Sequence, residues 1–183
     1  MQQMRAQLNR GIDENIVEDE ETRAVLKTAT GDWFEALEAT MKAGRFDGGA
    51  ALQLNPDSLT VVAGAHVKDP GKIEEGLRKM DAVAKKKDET KYRGIKWNAA
   101  EHAGINYHTI TVPIPEEHDS PRKLLGEEAN IAIGIGPDAV YLAMGRDNIE
   151  ALNKAVDASA AEPDKSVPPF ELAISLGPVM SVL

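Results

Sequence analysis

Apolar and polar positions alternate with a period of two in four stretches of this chain and recur with a helical period in four others. Ala50, Leu52 and Leu54 alternate up to Asn55-Pro56-Asp57-Ser58, and Leu59, Val61 and Ala63 alternate away from it. Proline suits the second position of a turn because its φ is already about −65°, and aspartate tolerates the next one. The pattern predicts a hairpin that pairs Leu54 with Leu59, Leu52 with Val61 and Ala50 with Ala63, leaving Gln53 and Thr60 on the other face. The same grammar returns further on. Ile131, Ile133 and Ile135 lead to a turn at Gly136 to Ala139, and pair with Met144, Leu142 and Val140, with Ala132, Gly134, Tyr141 and Ala143 opposite. Pro56 and Pro137 are 81 residues apart, as are Gly64 and Gly145. Between these two lies a third hairpin, from Tyr92 to Ile114. A turn at Ala103-Gly104 pairs Ile95 with Val112, Trp97 with Ile110 and Ala99 with His108. A last strand runs from Phe170 to Leu176.

The helical stripes are Met4, Leu8, Ile12 and Ile16; Phe34, Leu37 and Met41; Ile73, Leu77, Met80 and Ala84; and Ile149, Leu152 and Val156. An acidic run at Glu18 to Glu21 suits a helix start, and Lys85-Lys86-Lys87 suits a helix end. Thr30-Gly31-Asp32 is taken as a break, with Asp32 capping a new helix and Glu35 three residues on. Residues 159–169, with Pro163, Pro168 and Pro169, are taken as a linker.

Strands with one apolar face need helices to cover it. The chain is therefore predicted to be α+β: an antiparallel sheet of about seven strands in hairpins, helices on one face, and two strand–turn–strand–helix units. The organisation expected is an N-terminal helical segment over 1–31 and the α+β domain over 32–183. The apolar end, Gly177 to Leu183, suggests a domain truncated at its C-terminus.

Composition narrows the function. A formal net charge of −9 over 183 residues argues against a nucleic-acid footprint and against docking on anionic lipid. With no cysteine there is no disulfide, no thiolate metal site and no thiol catalysis. No apolar run is long enough to span a membrane, and the first residues lack the apolar stretch of a signal peptide.

Gly31-Asp32-Trp33-Phe34 through Gly64, with Leu-Asn-Pro-Asp-Ser-Leu and then Val-Ala-Gly, resembles uncharacterised domains of larger exported proteins of planctomycete-type bacteria. The resemblance covers roughly residues 32–183 and implies a periplasmic or envelope setting. It implies no activity and no site residues.

Candidate chemistry is sparse. His102 and His108 flank one predicted turn but fall on opposite faces, so they cannot share a metal ion. Glu101, His102 and His118 could meet if the loop after Ile114, with Glu116, Glu117 and Asp119, folded back over the hairpin end, giving carboxylates and imidazoles for a divalent ion or proton transfer. A solvated loop is the plainer reading. Gly134-x-Gly136 precedes a hairpin turn rather than a helix, so it is not a phosphate cradle. Asp13-x-Asn15 lacks the glycine and the terminal glutamate of a calcium loop. The small-residue sheet face, with Ala51, Val62, Ala132 and Ala143 and the rings of Tyr107 and Tyr141, is expected to lie open, as a ligand surface or the seat of another domain.

The leading expectation is a non-enzymatic structural or binding domain of a larger bacterial protein, needing no cofactor, whose partners are other domains of that protein or another protein. The alternatives are a carrier of a lipid or other apolar ligand, and a metal-dependent hydrolase using Glu101, His102 and His118.

Overall fold

The three hairpins and the last strand join in one seven-stranded sheet. The computed structural model describes residues 2–16, 19–44, 47–87, 92–161 and 170–176. The elements are α1 (Gln2–Gly11), a π-helical turn (Ile12–Ile16), α2 (Glu20–Lys42), β1 (Gly48–Asn55), β2 (Ser58–His66), α3 (Pro70–Lys87), β3 (Ile95–His102), β4 (Ile105–Pro113), α4 (Asp119–Leu125), β5 (Glu128–Ile135), β6 (Ala139–Met144), α5 (Asn148–Ala161) and β7 (Phe170–Leu176). The strand order is β3-β4-β5-β6-β2-β1-β7. Every pair is antiparallel except β1 with β7, so the α+β fold carries a mixed sheet. Gly177 to Leu183 and most of the 159–169 linker lie outside the described residues.

The β1–β2 and β5–β6 hairpins have the register their sequences predict, Leu54 opposite Leu59 and Ile135 opposite Val140. The β3–β4 hairpin keeps it only near the turn, where Ala100 faces Tyr107 and His102 faces Ile105. Beyond an irregularity between Lys96 and Ala100, Ile95 faces Ile110 rather than Val112. Asn98 lies in this irregularity with φ 50°, a left-handed conformation that asparagine tolerates better than most residues. Two extra residues restore the alternation, so each side chain keeps its face while its partner changes.

These registers line up residues across the whole sheet. On one face Ile95, Ile110, Ile131, Met144, Val61, Leu52 and Ile174 form a single row through all seven strands. On the other, Thr109, Ala132, Ala143, Val62, Ala51 and Ala173 form a row of small residues. Helices were expected on the aliphatic face alone; they lie on both. α5 packs on the small face, where Leu152 and Val156 are buried with Tyr107, Ala132 and Ala143. Alanine and glycine are the reason, because they let a helix backbone approach closely. α3 lies on the aliphatic face at the β3–β4 end, where Arg78 stacks on Trp97, 4.0 Å from the ring centroid.

α2 and α3 pack as a pair. The Trp33 ring lies over Gly76, and its Nε1 donates to the Ile73 carbonyl at 3.2 Å. Asp19 caps α2 by accepting from the Thr22 amide at 2.7 Å, and Glu20 and Glu21 occupy the first turn. The break expected at Thr30-Gly31-Asp32 does not exist, because α2 runs unbroken through it. A boundary at 31/32 therefore falls inside a helix. A mid-helix glycine costs about 1 kcal/mol against alanine, but a Cβ on Gly31 would sit 3.2 Å from the Arg5 guanidinium, so the glycine makes room for α1.

Candidate functional site

Two polar clusters lie in the seams between sheet and helices. In the α5 seam Tyr107 is 0% exposed and its ring lies against Gly134 of the next strand. The Tyr141 ring lies over Gly64 in the same way, in the manner of an aromatic covering a strand glycine. The Tyr141 hydroxyl is 3.4 Å from Ser159 Oγ, and His102 Nε2 meets Asp157 Oδ1 at 2.6 Å, tying the end of β3 to α5. Burial, then the nearby Asp157 carboxylate, raises the Tyr107 pKa, which keeps the phenol neutral. Its hydroxyl has no hydrogen-bond partner among the described residues.

In the α3 seam the centre is Asp81, 5% exposed. Its carboxylate accepts from Lys85 Nζ at 2.8 Å, the Tyr92 hydroxyl at 3.0 Å, the Ile95 amide at 2.9 Å and Trp97 Nε1 at 3.2 Å. Burial alone would raise the Asp81 pKa; the four donors outweigh it and hold the group below its ordinary value. Tyr92 is pushed well above the usual phenol range by burial and by its bond to Asp81. Against Trp97 lies His108, with ring centroids 4.8 Å apart. The Asn98 amide donates to His108 Nδ1 at 3.1 Å, and burial lowers the His108 pKa.

The residues singled out from sequence are distributed otherwise than expected. His102 lies on the α5 face and His108 on the α3 face, as parity requires. Glu101 faces Asn106 and so lies on the side opposite His102. His118 stands at the start of α4, beyond Pro113, while Glu101 and His102 stand beside Ile105 at the other end of β4. Eight strand steps separate these ends by roughly 27 Å, so Glu101, His102 and His118 do not form one site. The loop after Ile114 leads instead into the short helix α4, held by Arg122 donating to the Ile114 carbonyl at 3.0 Å. Among the described residues no three His, Asp or Glu side chains are grouped to hold a metal ion. Tyr107 and Tyr141 do not line an open surface, because α5 covers the face they share.

The Asp81 cluster was not read from sequence. Its signal was a carboxylate within the polar-to-apolar flank of the α3 stripe, one turn before the lysine run, facing a Tyr and a Trp at the entry to the next hairpin.

A cleft of about 140 Å³ between α2 and α3, lined by Asp19, Glu21, Thr22, Val83 and Lys86, is smaller than the about 300–1,000 Å³ that holds a drug-sized ligand. No known protein-family model matches this chain, and no curated protein matches it. No helix among the described residues is long and apolar enough to cross a membrane.

What the structure does offer is the aliphatic face. Its cover fades from β5 to β6: Ile133 is 8% exposed, and its cross-strand neighbour Leu142 is 38% exposed. At the β7 edge Ile174 is 61% exposed. α3 reaches the β3–β5 half through Arg78, Asp81 and Glu74.

Proposed function

We propose that this chain is a non-enzymatic binding domain of a larger protein, and that it receives another domain or another protein on the β6–β2–β1–β7 half of its aliphatic face. The observation that carries this reading is the exposure of Leu142 in a central strand. Sheet interiors normally cover such a residue, and an uncovered apolar surface with ordered neighbours is the usual mark of an interaction site. The seams support the same reading, since the polar groups there are spent on holding helices to the sheet. The resemblance of Gly31 to Gly64 supports a place within an exported protein.

Photo-crosslinking residues placed singly at Leu142, Ile174 and Glu150 in the source cell test it. Glu150 lies on the solvent side of α5 and serves as control. One identified adduct shared by positions 142 and 174, absent from 150 and abolished by Leu142→Glu in the Ile174 variant, is the expected result. Adducts equal at all three positions, or none at 142 and 174, would refute it.

A further inference from the structure

We propose that His108 is an acid-sensitive latch, which on taking up a proton releases the β3 irregularity and loosens α3 from the sheet while α5 stays seated. This goes beyond the binding role and does not depend on it.

The latch is built from the positions of three groups. His108 is 1% exposed, between Trp97 and the strand bearing Ile133. Its Nδ1 accepts the Asn98 amide, so the neutral ring carries its proton on Nε2, which has no acceptor among the described residues. Protonation must therefore occur at Nδ1. There the new N–H would point at the Asn98 N–H, and two donors cannot share that space. The bond that is lost is the one that holds Asn98 in its left-handed conformation at the irregularity.

That irregularity sets the position of everything α3 holds. Ile95, just before it, and Trp97, within it, give Asp81 two of its four donors. Trp97 also carries Arg78, 4.0 Å from its ring centroid. Releasing Asn98 thus frees the strand segment that anchors α3; α2 is paired to α3 through Trp33 and is also held at its far end, where Thr40 Oγ1 accepts from the Lys68 amide at 2.9 Å.

The charges acting on His108 come from α3. Glu74 favours the protonated ring, and Arg78 opposes it; burial, the largest influence, opposes it too. Its neighbours Asn106 and Ile110 on β4, Ile133 on β5 and Asn98 on β3 are uncharged. The sign follows. Burial holds the folded ring below the ordinary imidazole value of about 6.5, so the open form binds the proton first as pH falls. The latch is fully closed above about pH 6.5, and opening grows up to about tenfold per pH unit below that until the closed form also protonates.

Amide hydrogen exchange on the intact chain, from about pH 7.5 to about pH 5 and corrected for intrinsic rates, reads this directly. The amides of Asn98 and Ile95 are expected to show that rise in opening, the amides of Leu152 and Val156 none. His108→Gln, whose side-chain oxygen can still accept from Asn98, is expected to flatten the dependence, and His102→Gln and His118→Gln to retain it. Equal dependence in His108→Gln, or opening of α5 in step with β3, would overturn the proposal. Should His108→Gln fail to fold, ¹⁵N histidine shifts of the native protein decide: a His108 pKa at or above about 6.5, or a neutral ring protonated on Nδ1, would overturn it as surely.

Discussion

Replacing Asp81 tests whether the α3 layer is held by one carboxylate. In Asp81→Ala the Ile95 amide and Trp97 Nε1 lose their acceptor in a site that is 5% exposed. An orphaned buried donor costs about 1–3 kcal/mol. Lys85 is half-exposed and rehydrates, so its loss adds little. The Tyr92 hydroxyl is partly buried and adds a share. The sum is a loss of about 3–5 kcal/mol, in line with breaking a buried charged group away from its partners. Asp81→Asn keeps one acceptor oxygen and removes the charge, and should cost about 2 kcal/mol. Urea unfolding followed by tryptophan fluorescence measures both. With a slope of about 2 kcal/mol per molar urea, the alanine variant's midpoint falls by about 2 M. The pH dependence is a second check. The folded pKa of Asp81 is depressed, so its contribution is present above about pH 3.8 and is lost as pH falls through the folded value. The gap between native protein and Asp81→Asn should therefore close in strong acid. A cost below about 1 kcal/mol for alanine, or equal costs for alanine and asparagine, would refute the reasoning.

Leu152, fully buried against Ala132 and Ala143, should cost about 3 kcal/mol as alanine by chemical denaturation, since the backbone of α5 cannot collapse further onto a face already lined by alanines. Gly64→Ala puts a methyl 2.7 Å from the Tyr141 ring, so it should destabilise by about 1–3 kcal/mol, and Tyr141→Ala in the same chain should relieve part of that loss in a double-mutant cycle. Ala103 sits at φ 50° beside Gly104 at φ 76° in the two-residue hairpin turn, so Ala103→Asn should raise the unfolding midpoint, by about 0.5–1 kcal/mol in stability.

Much of the fold could be read from period and turn chemistry. Pro56-Asp57 and Pro137-Asp138 fixed two registers because a two-residue period leaves one pairing that buries leucine and isoleucine together. The stripe Ile149, Leu152, Val156 found α5 for the same kind of reason. Three readings failed on tertiary grounds. Gly31 looked like a helix break because local propensity says so, yet Arg5 from α1 occupies the space its missing side chain leaves. The β3 irregularity carries no glycine or proline, and Asn98 is ordinary in sequence; its amide is received by the ring nitrogen of His108 across the hairpin, ten residues away, a pairing no local pattern announces. The sequence after Ile114 reads as a solvated loop, and α4 forms there with contacts to β2 and β5. Of the polar seams, His102 was legible as a residue but not as the partner of Asp157, 55 positions distant.

The assignment of the two faces is where the sequence reading went furthest astray, and the reason has general force. Large aliphatic residues were taken to mark the core and small ones the solvent side. Yet side-chain volume decides how near a covering layer can come, and near approach is what buries a surface. Over Ala132, Ala143 and Gly134 the backbone of α5 comes close enough to bury Leu152 and Val156 almost completely. Leu142 and Ile174 are left exposed on the aliphatic face, whose two-helix layer is anchored at the β3 end through Asp81. The same distribution explains the chemistry of the seams. Where the fit is close, contact suffices and one His102–Asp157 pair closes the end; where the cover is loose, four donors converge on one carboxylate to hold it. A layer secured by directed bonds rather than by area can be released by altering one of them, whereas α5 cannot, and this asymmetry is why an acid response at His108 would move α3 and leave α5 in place.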